Sequence, residues 1–336
     1  MKYFVCLSLL LSIIVAQAQQ NPVPAGATFS TLQTPVHDPV MIRQNGIYYL
    51  FCTGNGISVF SSKDMKSWRK ESPVFATSPE WALKAIPGFR GSMWAPDISF
   101  HNGQYYLYYA VSAFGKNTSC IGLVINKTLD SSSKDFKWVD KGKIIQSVPG
   151  RDMWNAIDPN LVTDDSGTPW LSFGSFWNGM KLVKLTSDMT AIAQPEKWYT
   201  IAARKREFIL PDSVAGDAAI EAPFIFKKDA FYYLFVSFDY CCRGEQSTYK
   251  IMVGRSSQVY GPYTDRDGIP MNLGGGSNVL QGDKNWHGVG HNAVVTFDNT
   301  DYLIFHAYDA ADNGRSKLRI EKLNWINNWP VVQRAQ

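Results

Sequence analysis

The stretch that decides the fold begins at His37-Asp38-Pro39-Val40-Met41-Ile42, turns at Asn45-Gly46 and continues as Ile47-Tyr48-Tyr49-Leu50-Phe51. Two runs of β-branched and aromatic residues around an Asn-Gly pair read as a β-hairpin, since Asn-Gly readily takes the positive φ of a tight hairpin turn. The phrase returns four times in altered form. Trp94-Ala95-Pro96 leads to Asn102-Gly103 and Tyr105-Tyr106-Leu107-Tyr108, and Ile157-Asp158-Pro159 leads to Ser166-Gly167 and Trp170-Leu171-Ser172-Phe173. Glu221-Ala222-Pro223 leads to Lys228-Asp229 and Phe231-Tyr232-Tyr233-Leu234-Phe235, and His291-Asn292-Ala293 leads to Asp298-Asn299 and Tyr302-Leu303-Ile304-Phe305. Along the column Pro39, Pro96, Pro159, Pro223, Ala293 the steps grow from 57 residues (39 to 96) to 70 (223 to 293). Hairpins repeated at so long a period predict sheets arranged radially. Five units predict an all-β fold, a five-bladed β-propeller in a single domain.

A second pair of strands is expected in each unit. Gly56 to Ser61 precedes Trp68, Cys120 to Ile125 precedes Trp138, Met180 to Leu185 precedes Met189, and Tyr249 to Arg255 precedes Tyr260-Gly261-Pro262-Tyr263. These read as outer-blade strands. The segments Pro87 to Met93, Pro149 to Ala156 and Gly274 to Gly290 read as connecting loops, the last a flexible, glycine-rich rim loop.

In a propeller the blade starts converge on a central channel. Here they carry His37 and Asp38, Trp94, Asp158, Glu221 and His291. Glycosidic bond cleavage needs one carboxyl group held protonated and another ionised, and a neighbouring carboxylate can raise the acid's pKa by like-charge repulsion. Three carboxylates at the repeat period supply a base, an acid and a modulator. The register is uneven, however. Asp38 and Asp158 stand immediately before the proline column, whereas Glu221 stands one position earlier, and adjacent strand residues point to opposite faces.

Residues 1–18 read as a secretory signal: Lys2, the apolar run Tyr3 to Val15, then Ala16-Gln17-Ala18. That places residues 19–336 in one propeller domain, secreted or periplasmic, with no further stretch long enough to span a membrane. Net charge is +4 and the basic residues are scattered, which argues against nucleic acid as a partner. Cys52, Cys120, Cys241 and Cys242 remain after cleavage; the adjacent pair is either a vicinal disulfide or two thiols. Asn117-Thr118-Ser119 and Asn126-Lys127-Thr128 match the glycosylation pattern weakly.

The phrases His37-Asp38-Pro39, Trp94-Ala95-Pro96-Asp97-Ile98, Asn155-Ala156-Ile157-Asp158-Pro159-Asn160, Phe173-Gly174-Ser175-Phe176-Trp177, Ile220-Glu221-Ala222-Pro223-Phe224, Ser237-Phe238-Asp239-Tyr240-Cys241-Cys242-Arg243-Gly244 and Gly290-His291-Asn292-Ala293 together resemble glycoside hydrolase family 43. Within it the likeness is to the endo-1,5-α-L-arabinanases, and it runs from Thr34 to Pro330. The resemblance implies an inverting glycosidase on a five-bladed propeller, with Asp38 as general base, Glu221 as general acid and Asp158 as the residue that raises and orients the acid. It implies that His291 holds a hydrated metal ion, calcium, on the channel axis. Trp94, Phe114 and Trp177 are candidate sugar-stacking faces, Asn155, Ile157 and Ser175 candidate cleft residues, and His37 a residue that orients the base or contacts a sugar hydroxyl. His101, His287 and His306 carry no signal.

The leading expectation is therefore an exported monomer acting on arabinan or arabino-oligosaccharides from pectin. Its alternatives are an α-L-arabinofuranosidase or β-xylosidase of the same family, and a propeller that binds sugar without cleaving it. Family β-xylosidases often carry an extra C-terminal β-sandwich, and this chain ends soon after its fifth repeat, which favours the arabinanase.

Overall fold

The computed structural model describes residues 23–333; the expected leader over residues 1–18 lies outside them. Five antiparallel sheets follow one another along the chain. From the axis outward, blade one runs Val40–Gln44, Ile47–Cys52, Ser58–Ser62 and Ser67–Lys70, with Thr28–Ser30 as a fifth, outermost strand. Blade two begins at Ser92–His101 and ends at Val139–Ser147; blade three runs from Asn160–Thr163 to Trp198–Ala202. Blade four runs from Ile220–Lys228 to Ser277–Gln281 and blade five from Trp286–Phe297 to Trp329–Gln333. Each innermost strand neighbours the next, and that of blade five neighbours that of blade one, so the ring closes as a five-bladed propeller.

The hairpin turns form as their residues dictate. Asn45 and Gly46, Asn102 and Gly103, and Asp298 and Asn299 all take positive φ, the backbone of the tight turns that suit right-twisted strands. The second strand of each blade reads as an unbroken apolar run because both its faces are buried between neighbouring blades. In blade two, Tyr105, Leu107 and Tyr109 pack into the core shared with blades one and five, while Tyr106 and Tyr108 pack against blade three. In blade four, Tyr232, Leu234 and Val236 face blade three, and Tyr233 and Phe235 face blade five. Side chains alternate across a strand, so one run of five or six residues fills two interfaces. Leu234 is fully buried in this way, and its truncation to Ala would cost about 2–5 kcal/mol.

One expectation is corrected. The segment 274–290 is not a free rim loop: Ser277–Gln281 inside it is the fourth strand of blade four, paired with Lys250 to Val253. Its glycines misled because Gly275 lies against the backbone of Ile269 and Pro270, so the glycine content reflects close packing rather than mobility. The two glycosylation patterns, weak already in the sequence, fall on buried side chains, with Asn117 and Asn126 1% and 2% exposed. Among the described residues no helix is long and apolar enough to cross a membrane.

Candidate active site

Closure of the ring delivers the first channel residues. Pro35 forms a bridge with Lys317 of blade five, the Leu318 N–H donates to the Thr34 carbonyl at 3.0 Å, and the Ser316 hydroxyl donates to the Val36 carbonyl. His37 and Asp38 follow directly. At every blade start one residue then enters the left-handed region: Asp38 (φ 53°), Ala95 (44°), Asp158 (58°), Ala222 (58°) and His291 (50°). Such a residue breaks the two-residue alternation of the strand. In blade four it sits after Glu221, where the register slips between Glu221 and Phe224. This bulge resolves the uneven register of the sequence, because re-aiming a side chain is what a bulge does.

Asp38 is buried and held from four sides. Its N–H donates to His306 Nδ1 at 3.1 Å, its Oδ1 lies 2.8 Å from His37 Nδ1 and 3.0 Å from His291 Nδ1, and its Oδ2 accepts from Thr53 Oγ1 at 2.6 Å. Thr53 Oγ1 in turn accepts from the Ala95 N–H at 2.9 Å, which turns its own proton towards Asp38. A carboxylate offers about four lone-pair directions; among the described residues three are filled, which leaves one on Oδ2. Burial pushes the Asp38 pKa up, but the charges and hydrogen bonds of His291 and His37 outweigh it and hold the carboxyl well below its usual range. Asp38 is therefore ionised.

Glu221 is displaced the other way. The Ser175 hydroxyl donates to its Oε2 at 2.6 Å and the Tyr249 hydroxyl donates to its Oε1. Burial is the largest influence and raises its pKa; the Ser175 bond and His291 pull it down, Asp38 pushes it up, and the net shift is upward. Asp158 is buried beside it, accepting at Oδ2 from the Ala222 N–H at 3.1 Å. Burial, with repulsion from Glu221 and Asp38, lifts Asp158 well above the usual range despite the opposing pull of His291. Asp158 and Glu221 are thus both shifted towards holding a proton, and their titration belongs to the pair rather than to either residue. His291, whose N–H donates to Ser237 Oγ at 2.8 Å, is pushed down by burial but raised to about 9 by Asp38, Asp158 and Glu221. All three carboxyl groups are shifted by it in turn.

The structure brings together the three carboxyl groups, His37 and His291, and redistributes the remaining candidates. His37 has both ring nitrogens engaged within the protein, Nδ1 with Asp38 at 2.8 Å and Nε2 3.0 Å from the Tyr308 hydroxyl, which supports the orienting role expected of it. Ser175 is 4% exposed and its hydroxyl serves Glu221. Trp177 offers no stacking face; it is 1% exposed and its Nε1–H donates to the Asp212 carbonyl at 2.8 Å, so it anchors the loop before blade four. Asn155 and Ile157 are buried, and Asn155 Oδ1 accepts from Ser119 at 2.6 Å. Trp94 is half-buried at its blade start and Phe114 stands 65% exposed, which leaves these two as the aromatic candidates.

Sequence reading missed Thr53, Ser237, Tyr249, His306 and Tyr308. A signal did exist: Thr53, Ser237 and His306 are polar residues at or near the end of otherwise apolar second strands, and each bonds a blade-start residue. His306 is fully buried, stacked on His37 at 4.0 Å between ring centroids. Burial, with the charges of His37 and His291, holds it well below the usual histidine range. Cys241 and Cys242 form a vicinal disulfide, so the cluster they make with His37 has no thiolate to offer a metal.

A carboxyl group shifted downward and a neighbouring pair shifted upward, in the axial channel of a five-bladed propeller, form the arrangement that glycosidic hydrolysis by a general base and a general acid requires. Residues 28–330 match the glycosyl hydrolases family 43, and the chain belongs to that family. It is 53% identical over 305 residues to an extracellular exo-α-(1→5)-L-arabinofuranosidase of Cellvibrio japonicus, covering 90% of this chain and 88% of that protein. It is 42% identical over 312 residues to an extracellular endo-α-(1→5)-L-arabinanase of Bacillus subtilis, covering 91% of each. The solved structure of a Cellvibrio cellulosa α-L-arabinanase complexed with arabinohexaose superposes with a TM-score of 0.88 at 54% identity, covering 90% of this chain and 96% of that one. The likeness to arabinanases carried by the sequence motifs is matched by these relatives.

Proposed function

We propose that this protein hydrolyses the α-1,5-L-arabinofuranosidic bonds of the arabinan backbone of pectin, with inversion at the anomeric carbon. The observation that carries the reading is the opposite displacement of two channel carboxyl groups, Asp38 downward and Glu221 upward. Asp38 would take a proton through its open Oδ2 position from a water on one face of the sugar, while Glu221 gives one to the departing oxygen on the other. An inverting pair stands roughly 6.5–9.5 Å apart to admit that water. Asp158 keeps the pair with Glu221 supplied with a proton and bonds the backbone next to the acid. Trp94 and Phe114 would stack on sugar rings.

His291, once its imidazole has given up the proton that the carboxyl groups otherwise hold on it, would bind a hydrated cation, calcium, on the axis. The channel residues fit such an ion: His291 and Asp158 line the axial void together with Asn292, whose side-chain amide is buried with no hydrogen-bond partner among the described residues. One imidazole and an orphaned amide suit an ion that keeps most of its water rather than one caged by protein ligands. When bound, the ion would supply positive charge beside the three carboxyl groups.

Export is supported by the signal-like residues 1–18 and by the extracellular relatives. Attack within the chain is the leading reading, from the likeness to endo-acting arabinanases such as the relative at 42% identity; release from a chain end is the second reading, favoured by the relative at 53% identity. A time course on linear 1,5-arabinan, resolving products by size and following the anomeric configuration of new ends, tests all of this. Mixed oligosaccharides at early times with inverted ends support endo action. One short product from the outset supports the exo reading, and absence of cleavage overturns the function.

A further inference from the structure

Behind His37 lies a chain of hydrogen bonds that the hydrolytic reading does not use. The Cys242 N–H donates to the Tyr308 hydroxyl at 2.7 Å, the hydroxyl lies 3.0 Å from His37 Nε2, and His37 Nδ1 lies 2.8 Å from Asp38 Oδ1. Both ends of this chain have a fixed sense. A backbone N–H can only donate, and Asp38 Oδ1, flanked by the Nδ1 atoms of both His37 and His291, is the accepting end. Ser247, whose Oγ accepts from the Arg243 N–H, also reaches the Tyr308 oxygen as a donor, which leaves the phenol's own proton for His37. A neutral His37 therefore carries its proton on Nδ1 and accepts at Nε2 from the Tyr308 O–H. Tyr308 is 4% exposed, and the donor behind it sits in the turn closed by the Cys241–Cys242 disulfide, with Cys242 at φ 65°. Cys242 Sγ, 3.7 Å from His37 Nε2, walls off the same side of the ring.

We infer that Tyr308 is a positioning residue for the general base: by donating to His37 Nε2 it selects the imidazole tautomer whose Nδ1–H orients Asp38, and the disulfide-closed turn fixes the direction of that donation. The inference rests on Asp38 being the base. Without the hydroxyl, Nε2 loses its donor and the ring is free to take the tautomer that turns a lone pair towards the carboxylate, which would leave Asp38 less firmly aimed at water.

The test compares Tyr308→Phe, His37→Gln and the double variant on a soluble arabino-oligosaccharide, with Asp38→Asn as control. Expected are a kcat lowered by about tenfold in Tyr308→Phe with KM unchanged, and a double variant no slower than His37→Gln, because residues acting through one another are not additive. Independent, additive losses, or a native kcat in Tyr308→Phe, would overturn the inference. Full activity in Asp38→Asn would instead remove the base assignment on which it rests. Should circular dichroism show that Tyr308→Phe does not fold, wild-type protein treated with dithiothreitol until the Cys241 and Cys242 thiols titrate takes its place. A lower kcat at constant KM that recovers on reoxidation supports the relay, and an unchanged kcat overturns it.

Discussion

Ser175 and Glu221 meet twice: their backbones form an antiparallel bridge, and the Ser175 hydroxyl donates to Glu221 Oε2 at 2.6 Å. The acid of blade four is thus fastened to the end of blade three. The bond favours the ionised form and opposes the upward push of burial on the Glu221 pKa. An acid must be protonated to act, so activity falls as pH rises through its pKa. Ser175→Ala should move the alkaline limb of kcat/KM to higher pH, and a limb that stays in place or moves down would show that Ser175 does not tune the acid.

Glu221→Ala should lower activity on arabinan by about 10²–10⁴-fold, the usual worth of a general acid. An aryl arabinofuranoside with an acidic phenol as leaving group needs little protonation and should lose much less. Equal losses on the two substrates would count against the assignment.

Tyr249 donates to the other oxygen of Glu221 and packs directly on Gly290, where an added Cβ would overlap its ring. Gly290→Ala should therefore push Tyr249 away from the acid and reduce kcat on arabinan. The Gly290→Ala, Tyr249→Phe double variant should be no worse than the glycine change alone, as measured by initial rates.

If His291 holds a cation, elemental analysis of the purified protein should find it in the wild type and lose it in His291→Ala, with the circular dichroism spectrum retained. Chelation should lower activity, and added calcium should restore it in the wild type alone. A variant that keeps its metal would remove the site from His291.

Trp177 is packed out of solvent and tied to Asp212. Trp177→Ala should destabilise the fold by about 3–5 kcal/mol in urea unfolding, as for other buried aromatic truncations. A loss confined to substrate affinity, with unchanged stability, would restore the stacking role that its burial denies.

The blades were legible in the chain because hairpins are local. Val40 to Phe51 carries its own turn and its own alternation, and unbroken runs such as Tyr105 to Val111 announce burial on both faces. The period then placed Asp38, Asp158, Glu221 and His291 on one axis, since a closed ring of equal units has one centre. What the ring's closure adds was beyond reach of any local pattern. Asp38 is bonded to His306, 268 residues away, and His37 to Tyr308, 271 residues away. Glu221 faces the channel through a bulge that its neighbours' spacing does not announce. Trp177 and Ser175 look like sugar contacts in the sequence, yet one is sealed by a loop and the other is spent on the acid. Residue type and period determined which chemistry the channel holds; the state of each group depends on desolvation and on charges a few ångströms away, and only the assembled blades bring those together.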